Sequence, residues 1–227
     1  METSNSEDGF AHQGQIAFRV AVSPRPSIGL VFESLTWPSL SGRSSLQLPY
    51  PNAGYAGSAA SISPQARYAA VMLYSGQSEI GYELFALDPV FQHLAGMPYI
   101  AGECDLTAPA FSPDERLVAL AVEHCSWWFD EDAPIEHPDA DRDTARGGIT
   151  IWATLFVHEL DRASPTQFEL VVDLPRGWSP VGTGTWPRGL RFSGPTRLTL
   201  GVPWLPADVS FDLPSTHNRI IIPPPAT

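Results

Sequence analysis

A short unit that recurs along the chain constrains its fold more than any other feature. Each copy has an apolar residue, Ser-Pro, a short polar link and then an apolar run. The unit occurs at residues 22–24 before 28–32, at 62–64 before 68–73 and at 111–113 before 117–122, and a degenerate Ser-Gly-Pro copy at 192–195 precedes 198–202. The serines are 40, 49 and 81 residues apart. The last gap predicts one ordinary repeat together with a long insertion.

The unit has the chemistry of a β-hairpin turn between two strands. Pro113 suits the second position of a type I turn, and Asp114 tolerates the position after it. The apolar runs that follow are nearly continuous, which is typical of strands buried on both faces. A third strand is predicted at 83–89, 155–161 and 209–214, and a fourth at 167–174 and 219–222.

The turn and strand at 111–122 resemble the blades of WD40 and TolB-type β-propellers, and the other units resemble them more weakly. The Gly-His and Trp-Asp dipeptides of WD40 repeats are missing. The resemblance implies an all-β fold, a propeller-like array of about four antiparallel sheets of ~40–45 residues each. An open partial propeller or a β-sandwich is the alternative, and open sheet edges would favour homo-oligomers.

Composition limits the partners that the chain can have. The 227 residues include 13 basic and 25 acidic ones, a net charge of −12, and every basic residue is arginine. Such a chain has no P-loop or Schiff-base lysine, and it repels nucleic acid and anionic membranes. The polar N-terminus lacks the features of a signal peptide, and no apolar stretch approaches the ~18–20 residues of a membrane span. We therefore expect a cytoplasmic protein.

A chain of this length predicts one domain. We assign residues 1–14 to a flexible N-terminal segment and residues 15–227 to a single propeller-like domain, with an insertion at about 124–148.

The insertion predicts a surface that binds a protein partner. It begins with three aromatic residues followed by three acidic ones: Trp127, Trp128, Phe129, Asp130, Glu131 and Asp132. Aromatic anchors with a charged rim are typical of interfaces, and the acidic rim would select a basic partner. Two alternatives remain, namely a flexible acidic tip and aromatic residues that cap the core.

Asp139, Asp141 and Asp143 alternate as in a calcium-binding loop. The EF-hand pattern then requires Gly in place of Thr144 and Glu in place of Thr150. A solvated acidic run is therefore the preferred interpretation, and the sequence predicts no metal and no cofactor.

Cys104 and Cys125 have no zinc-ligand spacing, so we interpret them as buried thiols. If Phe111 and Leu117 flank the turn, the hairpin register places the two cysteines opposite each other, within ~7 Å. In a reducing cytoplasm they would remain thiols.

No catalytic constellation stands out, because no GxSxG motif occurs and His158 lies in a strand pattern. The leading hypothesis is a non-enzymatic interaction scaffold that presents the aromatic-acidic segment to a protein. The alternative is a hydrolase or carbohydrate-binding propeller that uses acidic residues and tryptophan in a top-face pocket.

Overall fold

The computed structural model describes residues 9–22, 29–49, 57–74, 79–101, 108–129, 147–160, 166–173, 189–201, 207–213 and 219–221. These residues form sixteen β-strands in four sheets and no helix. The described part therefore has no helix long and apolar enough to cross a membrane. The all-β fold with four antiparallel sheets, in a propeller-like or open arrangement, is confirmed.

The first two sheets are four-stranded and antiparallel, and their strands follow chain order. Sheet 1 contains β1 (Phe10–Gln13), β2 (Ile16–Val22), β3 (Leu30–Thr36) and β4 (Ser41–Leu48). Sheet 2 contains β5 (Gly57–Ile62), β6 (Tyr68–Tyr74), β7 (Glu79–Ala86) and β8 (Gln92–Ala101). The segment that we predicted to be flexible thus contributes β1 to the first sheet.

The other two sheets share this order but differ at their outer edge. Sheet 3 contains β9 (Ala110–Phe111), β10 (Leu117–Phe129), β11 (Gly147–Glu159) and β12 (Thr166–Asp173), and sheet 4 contains β13 (Leu190–Phe192), β14 (Arg197–Leu200) and β15 (Val209–Asp212). The last strand, β16 (Arg219–Ile221), was predicted to be the fourth strand of sheet 4. It instead pairs in parallel with β12, at the edge of sheet 3.

One hydrogen bond recurs in all four sheets and shows which strands are equivalent. The backbone N–H just after the third strand donates to the carbonyl oxygen just before the second. The pairs are Trp37 to Gln15 at 2.9 Å, Leu87 to Arg67 at 2.7 Å, Leu160 to Arg116 at 2.8 Å and Leu213 to Thr196 at 2.8 Å. The second strands are therefore β2, β6, β10 and β14.

This equivalence corrects the first predicted repeat. The Ser-Pro of residues 23–24 falls between β2 and β3, so the apolar run at 28–32 leads into a third strand. The equivalent turn of sheet 1 is instead at Gly14 and Gln15. The Ser-Pro motif does not mark this turn, because a turn that contains Gly14 occupies the position that the Ser-Pro turns occupy in sheets 2 and 3.

The Ser-Pro turns of sheets 2 and 3 have the predicted hairpin geometry. The Ser112 hydroxyl donates to Asp114 at 2.7 Å and accepts the Leu117 N–H at 2.9 Å, while Ser63 accepts the Tyr68 N–H at 3.0 Å. The residue two before the second strand has a left-handed backbone in three sheets, with φ of 58° at Gly14, 58° at Ala66 and 57° at Glu115.

The sheets stack face to face through the apolar strands. One face of β6, with Ala69, Val71 and Leu73, packs in a cluster with sheet 1. The opposite face, with Ala70 and Met72, packs in a cluster with sheet 3. The prediction that these strands are buried on both faces is confirmed for β6.

The two faces of sheet 4 differ in character. Along β14, the apolar Leu198 and Leu200 are fully buried, whereas Arg197 and Thr199 occupy the other face. The innermost strands pack β1 against β5, β5 against β9 and β9 against β13. Among the described residues no comparable packing joins sheet 4 to sheet 1.

A glycine comparison tests the left-handed turn position of sheet 1. A Cβ at Gly14 or Gly42 would meet no atom within 4 Å, but only Gly14 has a positive φ. We expect Gly14→Ala to lower the free energy of unfolding by about 1 kcal/mol, because only the backbone is strained. Gly42→Ala should be neutral or slightly stabilising. If urea unfolding shows the same loss of unfolding free energy in both variants, the turn conformation is not the cause.

Candidate functional site

The hairpin of β10 and β11 extends beyond the strands that flank it. Its ladder runs from Leu117 paired with Glu159 to Phe129 paired with Gly147. On one side β9 pairs only with Val118 and Ala119, and on the other β12 pairs no further than Trp152. Residues 125–129 and 147–151 therefore form a ribbon with no third strand among the described residues. We call this ribbon the arm.

The arm ends with the predicted aromatic residues. Trp127, Trp128 and Phe129 are the last three residues of β10, and they pair with Ile149, Gly148 and Gly147. The start of the predicted insertion is thus regular strand. Asp130, Glu131 and Asp132 lie outside the described residues, as do the calcium candidates Asp139, Asp141 and Asp143. The structure therefore brings together the three aromatic positions only.

The ladder register sorts the positions of the arm into two faces. Because residues two apart in a strand belong to one face, positions 125, 127 and 129 fall together with their partners 151, 149 and 147. That face carries Cys, Trp and Phe opposite Ile, Ile and Gly. The other face carries Ser126 and Trp128 opposite Thr150 and Gly148. One face of the arm therefore has a mainly apolar sequence.

The structure tests only the hairpin register from which the cysteine pairing was predicted. Phe111 pairs with Val118, which is the register that the sequence predicted for this hairpin. Cys125 lies on β10 opposite Ile151, but Cys104 lies outside the described residues. The pairing of the two cysteines stays a prediction.

A buried tyrosine–histidine pair lies between sheets 2 and 3. The Tyr82 hydroxyl and the His158 Nε2 are 3.0 Å apart, and both residues are almost fully buried. His158 Nδ1 is buried without a hydrogen-bond partner among the described residues. Burial lowers the pKa of His158 to about 4, so the imidazole is neutral at pH 7. The sequence placed His158 in the packing correctly, but it did not identify Tyr82.

A second pair faces the opposite side of sheet 2. His93 Nε2 and Glu83 Oε2 are 2.5 Å apart. Gly96 is the cross-strand partner of Glu83, and a Cβ at Gly96 would come within 1.7 Å of the carboxylate. The missing side chain at Gly96 thus makes room for Glu83. Sequence reasoning missed this pair, although a lone glutamate inside an apolar strand is a usable signal.

A third polar contact joins the turns of sheets 2 and 3. Glu115 is buried and accepts the Gln65 backbone N–H at 2.6 Å and the Arg67 Nε–H at 2.5 Å. This hydrogen bond to Glu115 raises the pKa of Arg67. The contact explains why a charged residue occupies a left-handed turn position, which usually favours glycine.

These polar pairs do not converge on one catalytic centre. Tyr82 and Glu83 are neighbours in a strand, so their side chains point to opposite faces of sheet 2. General acid–base chemistry needs both groups within reach of one substrate. No group of three or more His, Cys, Asp or Glu side chains in the described ranges could hold a metal ion. Two of these contacts, Tyr82 with His158 and Glu115 with Arg67, join sheets 2 and 3, whereas Glu83 and His93 join neighbouring strands of sheet 2.

No protein-family model matches the chain, and no curated protein matches it. Among solved structures, the acylaminoacyl peptidase of Pyrococcus horikoshii is similar at 14% sequence identity and a TM-score of 0.39. The alignment covers 89% of this chain and 28% of the peptidase. A similarity this low carries no argument about activity.

The buried His158 predicts a loss of stability in acid. Between pH 6.5 and pH 4 the unfolded chain binds a proton at this residue that the folded protein does not bind. Stability is therefore complete above pH 6.5 and falls as the pH decreases, by about 3 kcal/mol in total.

Urea unfolding between pH 4 and pH 7 checks this prediction. Carboxylates also contribute to the loss in acid, so the informative quantity is the difference from His158→Gln, which keeps a polar partner for Tyr82. The variant should lose less stability than the wild type across this range. Parallel pH profiles would contradict the assignment.

Proposed function

We propose that this protein is a non-enzymatic interaction scaffold, whose arm presents Trp127, Trp128 and Phe129 to a protein partner. One observation carries the proposal: the β10–β11 ladder continues for five residue pairs past Trp152, where pairing with β12 ends. Five residues of strand span about 17 Å, which is enough to present a side-chain surface beyond the edge of the sheet.

The arm has no third strand among the described residues, and this supports binding rather than a purely structural role. A two-stranded ribbon without further strands is only marginally stable in water. Three aromatic residues on such a ribbon are stabilised when another surface buries them, and each tryptophan at the centre of an interface contributes ~2 kcal/mol or more. A partner that covers the apolar face would therefore bury Trp127 and Phe129 together, and a partner that also encloses the opposite face would bury Trp128.

Charge favours a basic partner. The six residues that follow Ser126 are Trp127, Trp128, Phe129, Asp130, Glu131 and Asp132, and the whole chain has a net charge of −12. An acidic rim beside aromatic anchors accelerates encounter with a basic surface at low salt and disfavours acidic competitors.

The recurring hairpin geometry supports a propeller-like scaffold for this arm. The same backbone hydrogen bond joins the second and third strands of all four sheets, as repeated blades require. We infer a propeller-like array of the WD40 or TolB type. In such folds the function resides in loops and extensions rather than in the sheets.

A shortened arm tests the proposal. Replacing residues 127–149 by Asn-Gly connects Ser126 to Thr150, a cross-strand pair, through a two-residue turn. We expect the melting temperature to change by only a few degrees, because the rest of sheet 3 keeps its ladder. Partners that co-purify with the wild-type protein from its native source should be lost, and binding of the purified partner should disappear in calorimetry.

Point variants distinguish an anchor from a structural residue. Trp127→Ala and Trp128→Ala lie on opposite faces of the arm, so each is a matched control for the other. The proposal requires at least a tenfold weaker affinity in one of them, with the melting temperature unchanged. If both variants have a lower melting temperature, while the affinity of the folded fraction for the partner is unchanged, the aromatic residues are part of the core and the proposal is wrong.

A further inference from the structure

A cleft of about 520 Å³ opens between the turns of sheets 1 and 2. This volume is within the usual range for pockets that bind small molecules. The side chains that matter for its chemistry are those of Gln13, Gln15, Thr36, Arg43 and Gln65. The cleft lies among the turns that precede β2 and β6, and the arm belongs to a different sheet.

The walls of the cleft are held in place by contacts behind them. The Gln13 side chain donates to the Pro64 carbonyl oxygen at 3.0 Å, which joins the two sheets. The Gln15 carbonyl oxygen accepts the Trp37 N–H, and the Gln65 N–H is bound by Glu115. Because these backbone positions are already fixed, a ligand would bind without the cost of ordering them.

The charge of the cleft differs from that of the rest of the protein. Among the described residues no acidic side chain lines it, although the chain has 25 acidic residues. Arg43 is exposed and has no ion-pair partner among the described residues. Four other described arginines each contact a carboxylate, namely Arg19, Arg67, Arg191 and Arg197. A guanidinium without a carboxylate partner, surrounded by neutral amides, can take its anion from a ligand.

The geometry points to a binding site for a small hydroxylated carboxylate, such as a sugar acid. The guanidinium of Arg43 would bind the carboxylate through two parallel N–H bonds. The exposed side-chain amides of Gln15 and Gln65 can both donate and accept hydrogen bonds, and so can the Thr36 hydroxyl. These three groups can therefore form hydrogen bonds with the hydroxyl groups of a sugar ring. A single positive charge among neutral polar groups fits a monocarboxylate better than a phosphate with two charges.

Titration with D-glucuronate tests the site. We expect saturable chemical-shift changes in the wild-type protein, with a dissociation constant near or below ~1 mM. D-glucose lacks the carboxylate and acetate lacks the hydroxyl groups, so each should bind at least about tenfold more weakly. Equal affinity for glucuronate and glucose, or no saturable binding of glucuronate, would overturn the proposal.

Paired arginine variants locate the binding. Arg43→Gln should weaken glucuronate binding by at least about tenfold and leave the melting temperature unchanged, because Arg43 makes no ion pair within the described structure. Arg197→Gln, in sheet 4, removes an equally exposed arginine and should leave the affinity for glucuronate unchanged. The proposal fails if both variants weaken binding equally, because that result would show a general effect of net charge.

Discussion

Strands β6 and β10 carry apolar residues on both faces, and both faces must therefore be covered by other sheets. Along β6 two alanines, Ala69 and Ala70, precede the larger Val71, Met72 and Leu73, and all five are fully buried. Small side chains allow the neighbouring sheets to approach closely, while the larger ones fill the space between them. Burying both faces of two central strands forces the sheets to stack, so the array follows from this requirement.

Polar contacts fix the order of the stacked sheets at their turns. Gln13 reaches from sheet 1 to Pro64 in sheet 2, and Glu115 of sheet 3 reaches back to Gln65 and Arg67. Hydrophobic burial is non-directional, so it would tolerate sliding of one sheet against the next. Hydrogen bonds to charged groups are directional and each contributes roughly 1.5–3 kcal/mol, which makes one alignment preferable. Of these residues, Gln13, Pro64 and Gln65 also line the cleft that contains Arg43.

The sequence predicted the fold class and the interior sheets because their signals are local. The turn at Ser112 and the apolar run after it determine one hairpin, and its register followed from the turn alone. The first repeat was misplaced because Gly14 replaces the Ser-Pro motif, and β16 was misplaced because its pairing with β12 joins distant segments. The partnership of Tyr82 with His158 could not be found, since a contact between sheets leaves no regular spacing, whereas Glu83 within an apolar strand was a signal that sequence reasoning missed.

Sheet 4 differs from the interior sheets in the chemistry of one face. An interior sheet has both faces occupied, whereas the outer face of sheet 4 carries Thr199, hydrogen-bonded to Ser193 and Ser210, with the ion pair of Arg197 and Asp212 beside them. Thr199 itself is only 3% exposed, so on this face hydroxyl hydrogen bonds satisfy a buried polar side chain. The two proposed binding sites belong to other features, namely the arm of sheet 3 and the turns around the cleft. They are independent proposals, because they belong to different sheets and rest on different chemistry: three aromatic positions on the arm, and at the cleft neutral polar side chains beside a guanidinium that has no ion-pair partner among the described residues.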